Sequence, residues 1–73
     1  MGTYKYTVVI EQDEDGWYVV SCPALQGCHT QGKTYEEAIE NIRETIRLHI
    51  EARRETGEAV PVEIAVEEVQ VVA

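Results

Sequence analysis

The sequence of 73 residues contains no phenylalanine and only one tryptophan and four tyrosines, although 44% of its residues are hydrophobic. Its core must therefore be built mainly from valine, isoleucine, leucine and alanine, which suit a thin, two-layer structure. A chain of this size buries only about 60% of the surface that it exposes when unfolded. We expect residues 1–73 to form one domain, with a helix covering a sheet.

Positive charge is also scarce, since six Lys and Arg residues stand against fourteen Asp and Glu, for a net charge of -8. Such a chain is repelled by the phosphates of nucleic acid and attracts basic partners. The composition therefore predicts no direct binding to nucleic acid. The same charge would keep any small protein soluble, so it does not by itself identify a partner.

Long apolar runs are absent, and none approaches the ~20 residues that a membrane span requires. The N-terminus lacks the basic and apolar regions of a secretion signal. The two cysteines, Cys22 and Cys28, would stay reduced in the cytosol. We therefore expect a cytoplasmic protein that has free thiols and no contact with a membrane.

Alternating apolar and polar residues predict a first strand from Tyr4 to Ile10. Asp15-Gly16 is typical of a hairpin turn, and a second strand, antiparallel to the first, is predicted from Trp17 to Cys22. Pro23 has no amide donor and ends this strand. A short third strand fits between Gly27 and Gly32, at residues 28–31.

A capping box formed by Thr34 and Glu37 predicts that a helix begins at Thr34 or Tyr35. The helix continues to about Thr56, and Gly57 is placed to end it in a left-handed cap. One face of this helix is expected to pack on the sheet, and its residues recur at spacings of three and four: Tyr35, Ala38, Ile39, Ile42, Ile46, His49 and Ile50.

After Pro61, alternation from Val62 to Glu67 predicts a fourth strand. The alternation changes phase at Glu67-Glu68, which indicates a bulge or a strand that continues into a partner subunit. A right-handed crossover would return this strand beside the first. The predicted fold class is α+β, a two-layer β-β-β-α-β arrangement with one helix packed on a four-stranded mixed sheet in the order 3-2-1-4.

Candidate sites for metal and for catalysis are weak. Residues 11–16 resemble the first half of a calcium loop, but the twelfth position is Cys22 rather than Glu, and strands flank the segment. Cys22, Cys28 and His29 lack the paired spacing and the fourth ligand of a zinc site. Adjacent residues of a strand point to opposite faces, so Cys28 and His29 cannot activate each other. We expect two buried thiols, no catalytic residue, no cofactor and no metal.

A motif that runs from the hairpin turn to the helix resembles the N-terminal domain of HicB-type antitoxins, and the resemblance extends from about Tyr4 to Pro61. The positions that match are Asp15, Gly16, Trp17 or Tyr18, Pro23, Leu25, Gly27, Cys28, Thr30, Gly32, Thr34, Glu36, Glu37 and Ala38. The resemblance implies a degraded RNase-H-like fold and binding to HicA, a small basic ribonuclease toxin. Family members usually continue into an operator-binding module, whereas this chain stops at Ala73, so binding to DNA is not carried over.

The expected function is that of a non-enzymatic HicB-like antitoxin module, which binds and neutralises a small basic HicA-type toxin. Two alternatives stay open, a divalent-metal-dependent RNase-H-like nuclease and a homo-oligomeric structural protein without a toxin partner. Two sheet edges and the apolar residues 69–72 predict a homodimer or tetramer. The candidate partner-binding residues are the acidic side chains of the hairpin and the neighbouring aromatic: Glu11, Asp13, Glu14, Asp15 and Trp17.

Overall fold

Three short antiparallel strands and one long helix make up the regular structure of residues 3–73, which are the residues that this computed structural model describes. The strands are β1 (Val9–Gln12), β2 (Tyr18–Ser21) and β3 (His29–Gly32), and the helix is α1 (Tyr35–Thr56). The sheet has the order β1-β2-β3, and both strand pairs are antiparallel. The helix packs on β3 and β2.

Backbone hydrogen bonds close the connection between β2 and β3 into a compact loop. The amide of Cys22 donates to the carbonyl of Cys28 (2.9 Å), and the amide of Cys28 donates to the carbonyl of Leu25 (3.0 Å). Gly27 takes a left-handed conformation, with φ of 78°. Because the loop folds back on itself, its residues Cys22, Leu25 and Cys28 are buried in the core. The other buried residues of the core are Val20, Ala38 and Ile42.

Both ends of the helix follow the signals in the sequence. The hydroxyl of Thr34 accepts a hydrogen bond from the amide of Glu37 (3.1 Å), while the carboxylate of Glu37 reaches back to the amide of Lys33 (3.0 Å) rather than to that of Thr34. Gly57 ends the helix with φ of 77°, and the amide of Glu58 donates to the carbonyl of Arg53 (2.8 Å). The predicted boundaries of the helix are confirmed, because its caps are local interactions.

The sheet and the helix approach each other most closely at Gly32. A Cβ atom at this position would lie 2.5 Å from the backbone nitrogen of Ala38 and 2.9 Å from the carbonyl carbon of Glu37. The amide nitrogen of Asn41 supports the same contact by donating to the carbonyl of Gln31 (2.8 Å). Gly32 is therefore needed for its lack of a side chain, since only glycine lets the two backbones come this near.

Replacement of Gly32 by alanine should destabilise the protein. Because the obstructing atoms belong to the helix backbone, we expect Gly32→Ala to lower the free energy of unfolding by about 1–3 kcal/mol. The matched control is Gln31→Ala on the exposed neighbour, which should change it by less than about 0.5 kcal/mol. Urea denaturation at one protein concentration measures both. Equal stability of the two variants would contradict the role assigned to Gly32.

The predicted fourth strand is wrong, and so is the four-stranded mixed sheet in the order 3-2-1-4. Residues 58–73 contain no strand, and the sheet ends at β1. A strand exists only where backbone groups form a ladder with a neighbour. The neighbour of residues 61–63 is Tyr6-Thr7, and this segment lies outside any strand because β1 begins only at Val9. The alternation is therefore present in the sequence, but the segment lies beside residues that precede β1 rather than beside the free edge of β1 itself.

Side chains, rather than a ladder, hold the start of the C-terminal segment beside residues 6 and 7. The hydroxyl of Tyr6 donates to the carbonyl of Pro61 (2.6 Å). The carboxylate of Glu63 accepts from the amide (2.9 Å) and the hydroxyl (2.6 Å) of Thr7. These two bonds lower the pKa of the Glu63 carboxyl below its usual value, so they are strongest when the carboxyl is ionised.

Candidate partner-binding site

The hairpin between β1 and β2 is organised by one carboxylate. An oxygen of Asp13 accepts hydrogen bonds from the amides of Asp15 (3.0 Å) and Trp17 (2.9 Å). The carbonyl of Asp13 accepts from the amide of Gly16 (3.0 Å), which adopts φ of 86° as the Asp-Gly signal predicts. Asp13 therefore builds the turn, and its charge is partly compensated by the amides around it.

The other acidic side chains of the hairpin are exposed. Glu11 lies opposite Val19 in the ladder, and Glu14 and Asp15 occupy the tip. None of these three carboxylates takes part in an ion pair within residues 3–73. Their charges thus face solvent, whereas Asp13, which the sequence could not distinguish from them, has a structural role.

Trp17 connects the hairpin to the start of the helix. Its ring is half-buried, and the ammonium nitrogen of Lys33 lies over it, 5.6 Å from the ring centroid. Together with Asp15 and Gly16, these two residues line a small open cleft of about 200 Å³. The cation–π contact holds an aromatic surface next to the acidic tip. The structure thus brings together the predicted Asp15 and Trp17 and adds Lys33, which the sequence did not single out.

One face of the sheet is not covered by any helix or strand of the part of the chain that the structure describes. Val20 and Ile10 point towards the core, so their neighbours along each strand face the other way. The residues on this open face are Val9, Glu11, Val19, Ser21, His29 and Gln31, and the strand register places them side by side. Sequence reasoning missed this face as a surface, although the alternation that defines it could have revealed it. Glu11 belongs both to the open face and to the acidic hairpin.

The cysteines are buried, as expected. Cys22 and Cys28 are only 1% and 2% exposed, and burial is the main cause that raises the pKa of both thiols. His29 is exposed while Cys28 is not, so the two do not form a nucleophile pair. Within the described part of the chain, no three His, Cys, Asp or Glu side chains are grouped so that they could hold a metal ion. The absence of a metal and of a cofactor stays a prediction.

The turn-building role of Asp13 can be separated from its charge. We expect Asp13→Ala to lower the free energy of unfolding by about 1–2 kcal/mol, because two amides lose their acceptor. Asp13→Asn retains an oxygen at the same place and should retain most of the stability. Glu14→Ala at the exposed tip is the matched control and should change it by less than about 0.5 kcal/mol. Urea denaturation would contradict this role if Asp13→Ala and Glu14→Ala were equally stable.

Thiol reactivity tests the burial of the cysteines. Because the thiolate is the reactive form, and burial both raises the pKa and blocks access, iodoacetamide near neutral pH should modify the native protein at least about tenfold more slowly than the urea-unfolded protein. Ser21→Cys supplies a matched thiol on the open face, next to Cys22 in the chain, and this thiol should react rapidly. Mass spectrometry counts the modified sites. Fast labelling of native Cys22 and Cys28 would show that they are accessible.

Fold and surface together define a small α+β domain whose hairpin presents exposed acidic side chains beside an aromatic ring. The model of the family described as the HicB-like antitoxin of bacterial toxin–antitoxin systems matches residues 6–72. The chain therefore belongs to the HicB-like antitoxin family, and the resemblance found in the sequence is confirmed. Among residues 3–73, no helix combines the length and the hydropathy that crossing a membrane requires.

Similar proteins and one solved structure support this assignment to the family. A UPF0150 protein of Thermoplasma acidophilum is 58% identical over 57 residues, which is 78% of this chain and 83% of the relative. A UPF0150 protein of Archaeoglobus fulgidus is 47% identical over 62 residues, 82% of this chain and 90% of that protein. The crystal structure of the N-terminal domain of the Burkholderia pseudomallei antitoxin HicB superimposes with a TM-score of 0.72 at 34% identity and covers 81% of this chain and 69% of that one.

Proposed function

We propose that this protein is a non-enzymatic, cytoplasmic antitoxin module that binds a small basic HicA-type ribonuclease toxin and neutralises it by covering its active surface. The observation that carries the proposal is the match of the antitoxin family over residues 6–72, because membership in such a family implies a toxin as partner. In this proposal the protein acts by contact with another protein and does not itself bind nucleic acid.

The charge of the chain supports a basic partner. The net charge is -8, and the exposed carboxylates of Glu11, Glu14 and Asp15 concentrate negative charge at one end of the sheet. Charges at the rim of an interface steer the partner during encounter and contribute less to the lifetime of the complex. We therefore assign the acidic hairpin the role of a steering site, with Glu11, Asp13, Glu14, Asp15 and Trp17 as the partner-binding residues.

The hairpin supports binding better than catalysis. Hydrolysis by two metal ions needs several carboxylates that converge on one point. Here the carboxylate of Asp13 is bonded to amides of its own turn, and the remaining acidic residues are exposed on the surface of a hairpin. Trp17 adds an aromatic side chain of the type that often anchors protein interfaces. The open face of the sheet extends the same surface through Glu11.

Association kinetics with the cognate toxin test the steering role. The triple variant Glu11→Gln, Glu14→Gln and Asp15→Asn leaves the turn-building Asp13 in place. It should associate more slowly than the natural protein, by about tenfold at low salt, and its association rate should depend less on salt. The dissociation rate should change little, because these charges lie at the rim. Surface-binding measurements at two salt concentrations give both rates.

A second triple variant controls for net charge. This variant removes the same number of negative charges, three, from exposed positions on the helix and just after it. Its substitutions are Glu40→Gln, Glu55→Gln and Glu58→Gln. If the hairpin steers the toxin, this variant should associate nearly as fast as the natural protein. Equal slowing in both variants would assign the effect to total charge and reject the hairpin. A natural protein that does not bind or inhibit the toxin at all would reject the proposed function itself.

A further inference from the structure

The two cysteines lie directly opposite each other where β2 and β3 run into their connecting loop. The strand register pairs Ser21 with His29, and the same register continued by one residue pairs Cys22 with Cys28. The amide of Cys22 donates to the carbonyl of Cys28 (2.9 Å), which is the backbone bond that such a pair makes. The cysteines therefore form one further pair of the antiparallel ladder, at the neck of the loop.

The two thiols of this pair are neighbours in the core. Residues directly opposite each other in an antiparallel ladder have their side chains on the same face of the sheet. Both thiols are free and buried. Burial, and after it the charge and the hydrogen bond of the Cys22 side chain, raise the pKa of the Cys28 thiol. The two sulfur groups thus interact directly, with no side chain between them.

The spacing of the pair suits a disulfide that carries some strain. Residues of a hydrogen-bonded pair have Cα atoms about 5.5 Å apart, within the range of about 4.4–6.8 Å that disulfides span. Their Cβ atoms are about 4.5–5.5 Å apart, whereas those of a disulfide are about 3.5–4.5 Å apart, so the residues must approach slightly. The approach is possible because the amide of Cys28 donates to Leu25 (3.0 Å) rather than to Cys22, which leaves only one backbone bond within the pair. A strained disulfide is easier to reduce.

The loop next to the pair forms part of a surface groove. Pro23 and Ala24 follow Cys22 directly and line an open cleft of about 560 Å³ beside β1, which we call the apolar groove. Its lining residues are Thr7, Val9, Pro23, Ala24 and residues 61–67. Because Cys22 and Cys28 must approach each other when a disulfide forms, this part of the groove wall moves with them.

We propose that Cys22 and Cys28 are a reversible redox pair, which hydrogen peroxide oxidises to an intramolecular disulfide that alters the apolar groove. One thiolate attacks a peroxide oxygen, which gives a sulfenic acid and, with a proton, one water. The second thiol displaces the hydroxyl group of the sulfenic acid as a second water, and the S–S bond forms. The pair loses two electrons and two protons, and a reducing dithiol returns them.

Burial determines the rate of this oxidation, whereas proximity determines its product. The raised pKa of both thiols leaves little thiolate near neutral pH, so the first step is slow while the loop is closed. Oxidation therefore depends on opening of residues 23–27, which contain no strand or helix. A sulfenic acid formed at one cysteine has the other thiol beside it. This high effective concentration favours the intramolecular disulfide over a bond to another chain or further oxidation.

Mass spectrometry and thiol counting test the redox pair. After treatment with hydrogen peroxide and alkylation in urea, the natural protein should carry no alkyl group, and its mass should be about 2 Da below that of the reduced chain, for two hydrogens lost. On a non-reducing gel it should still migrate as one chain of 8.3 kDa. Dithiothreitol, added to the oxidised protein without urea, should restore both thiols. Amide NMR signals of Val9 and Ala65 in the groove should shift on oxidation, whereas that of Glu14 at the far hairpin should not.

Single variants supply the controls. Cys22→Ala and Cys28→Ala each keep one thiol, so neither should lose two hydrogens, and each should instead gain oxygen or link two chains. Oxygen added to both cysteines of the natural protein, a disulfide between chains, or a bond that dithiothreitol reduces only in urea would overturn the proposal. Shifts confined to residues 22–28 would reject the effect on the groove. None of these measurements requires a toxin, so the outcome is independent of the proposed function.

Discussion

The contact between Gly32 and the first turn of the helix is the constraint on which the rest of the structure depends. A Cβ atom at Gly32 would lie 2.5 Å from the backbone nitrogen of Ala38, so strand and helix meet backbone to backbone. The cap at Thr34 and the bond from Asn41 to the carbonyl of Gln31 fix the angle at which the helix leaves the strand. This geometry places Ile42 over the sheet and closes the core, against which the half-buried rings of Tyr6 and Tyr18 also pack.

The same constraint explains why one side of the sheet remains available. Since the helix is fixed to β3, it packs on β3 and β2 and leaves the edge of β1 uncovered. Within residues 3–73, no element packs on the face of the sheet opposite the helix. A small chain with a mainly aliphatic core can therefore bury only one face of its sheet, and the remaining edge and face stay exposed.

Local signals predicted the structure where local interactions form it, as at the cap of Thr34, the turn at Gly16 and the stop at Gly57. Alternation failed after Val62, because a strand also depends on a neighbouring edge, which the sequence does not display. Tyr35 was expected on the packed face but is half exposed, since at the first turn it meets Tyr18 only edge to face, with centroids 6.2 Å apart. In the acidic hairpin, only the hydrogen bonds of the turn distinguish Asp13, whose carboxylate accepts from two amides, from the other acidic residues.

The apolar groove and the acidic hairpin lie at opposite ends of β1. The strand runs from Val9, at the apolar groove, to Gln12, beside the acidic hairpin, and four residues of strand span roughly 13 Å. One end presents exposed acidic side chains, whereas the other is lined mainly by apolar residues. Because the groove and the hairpin share no residue, a protein that covered one of them would leave the other exposed.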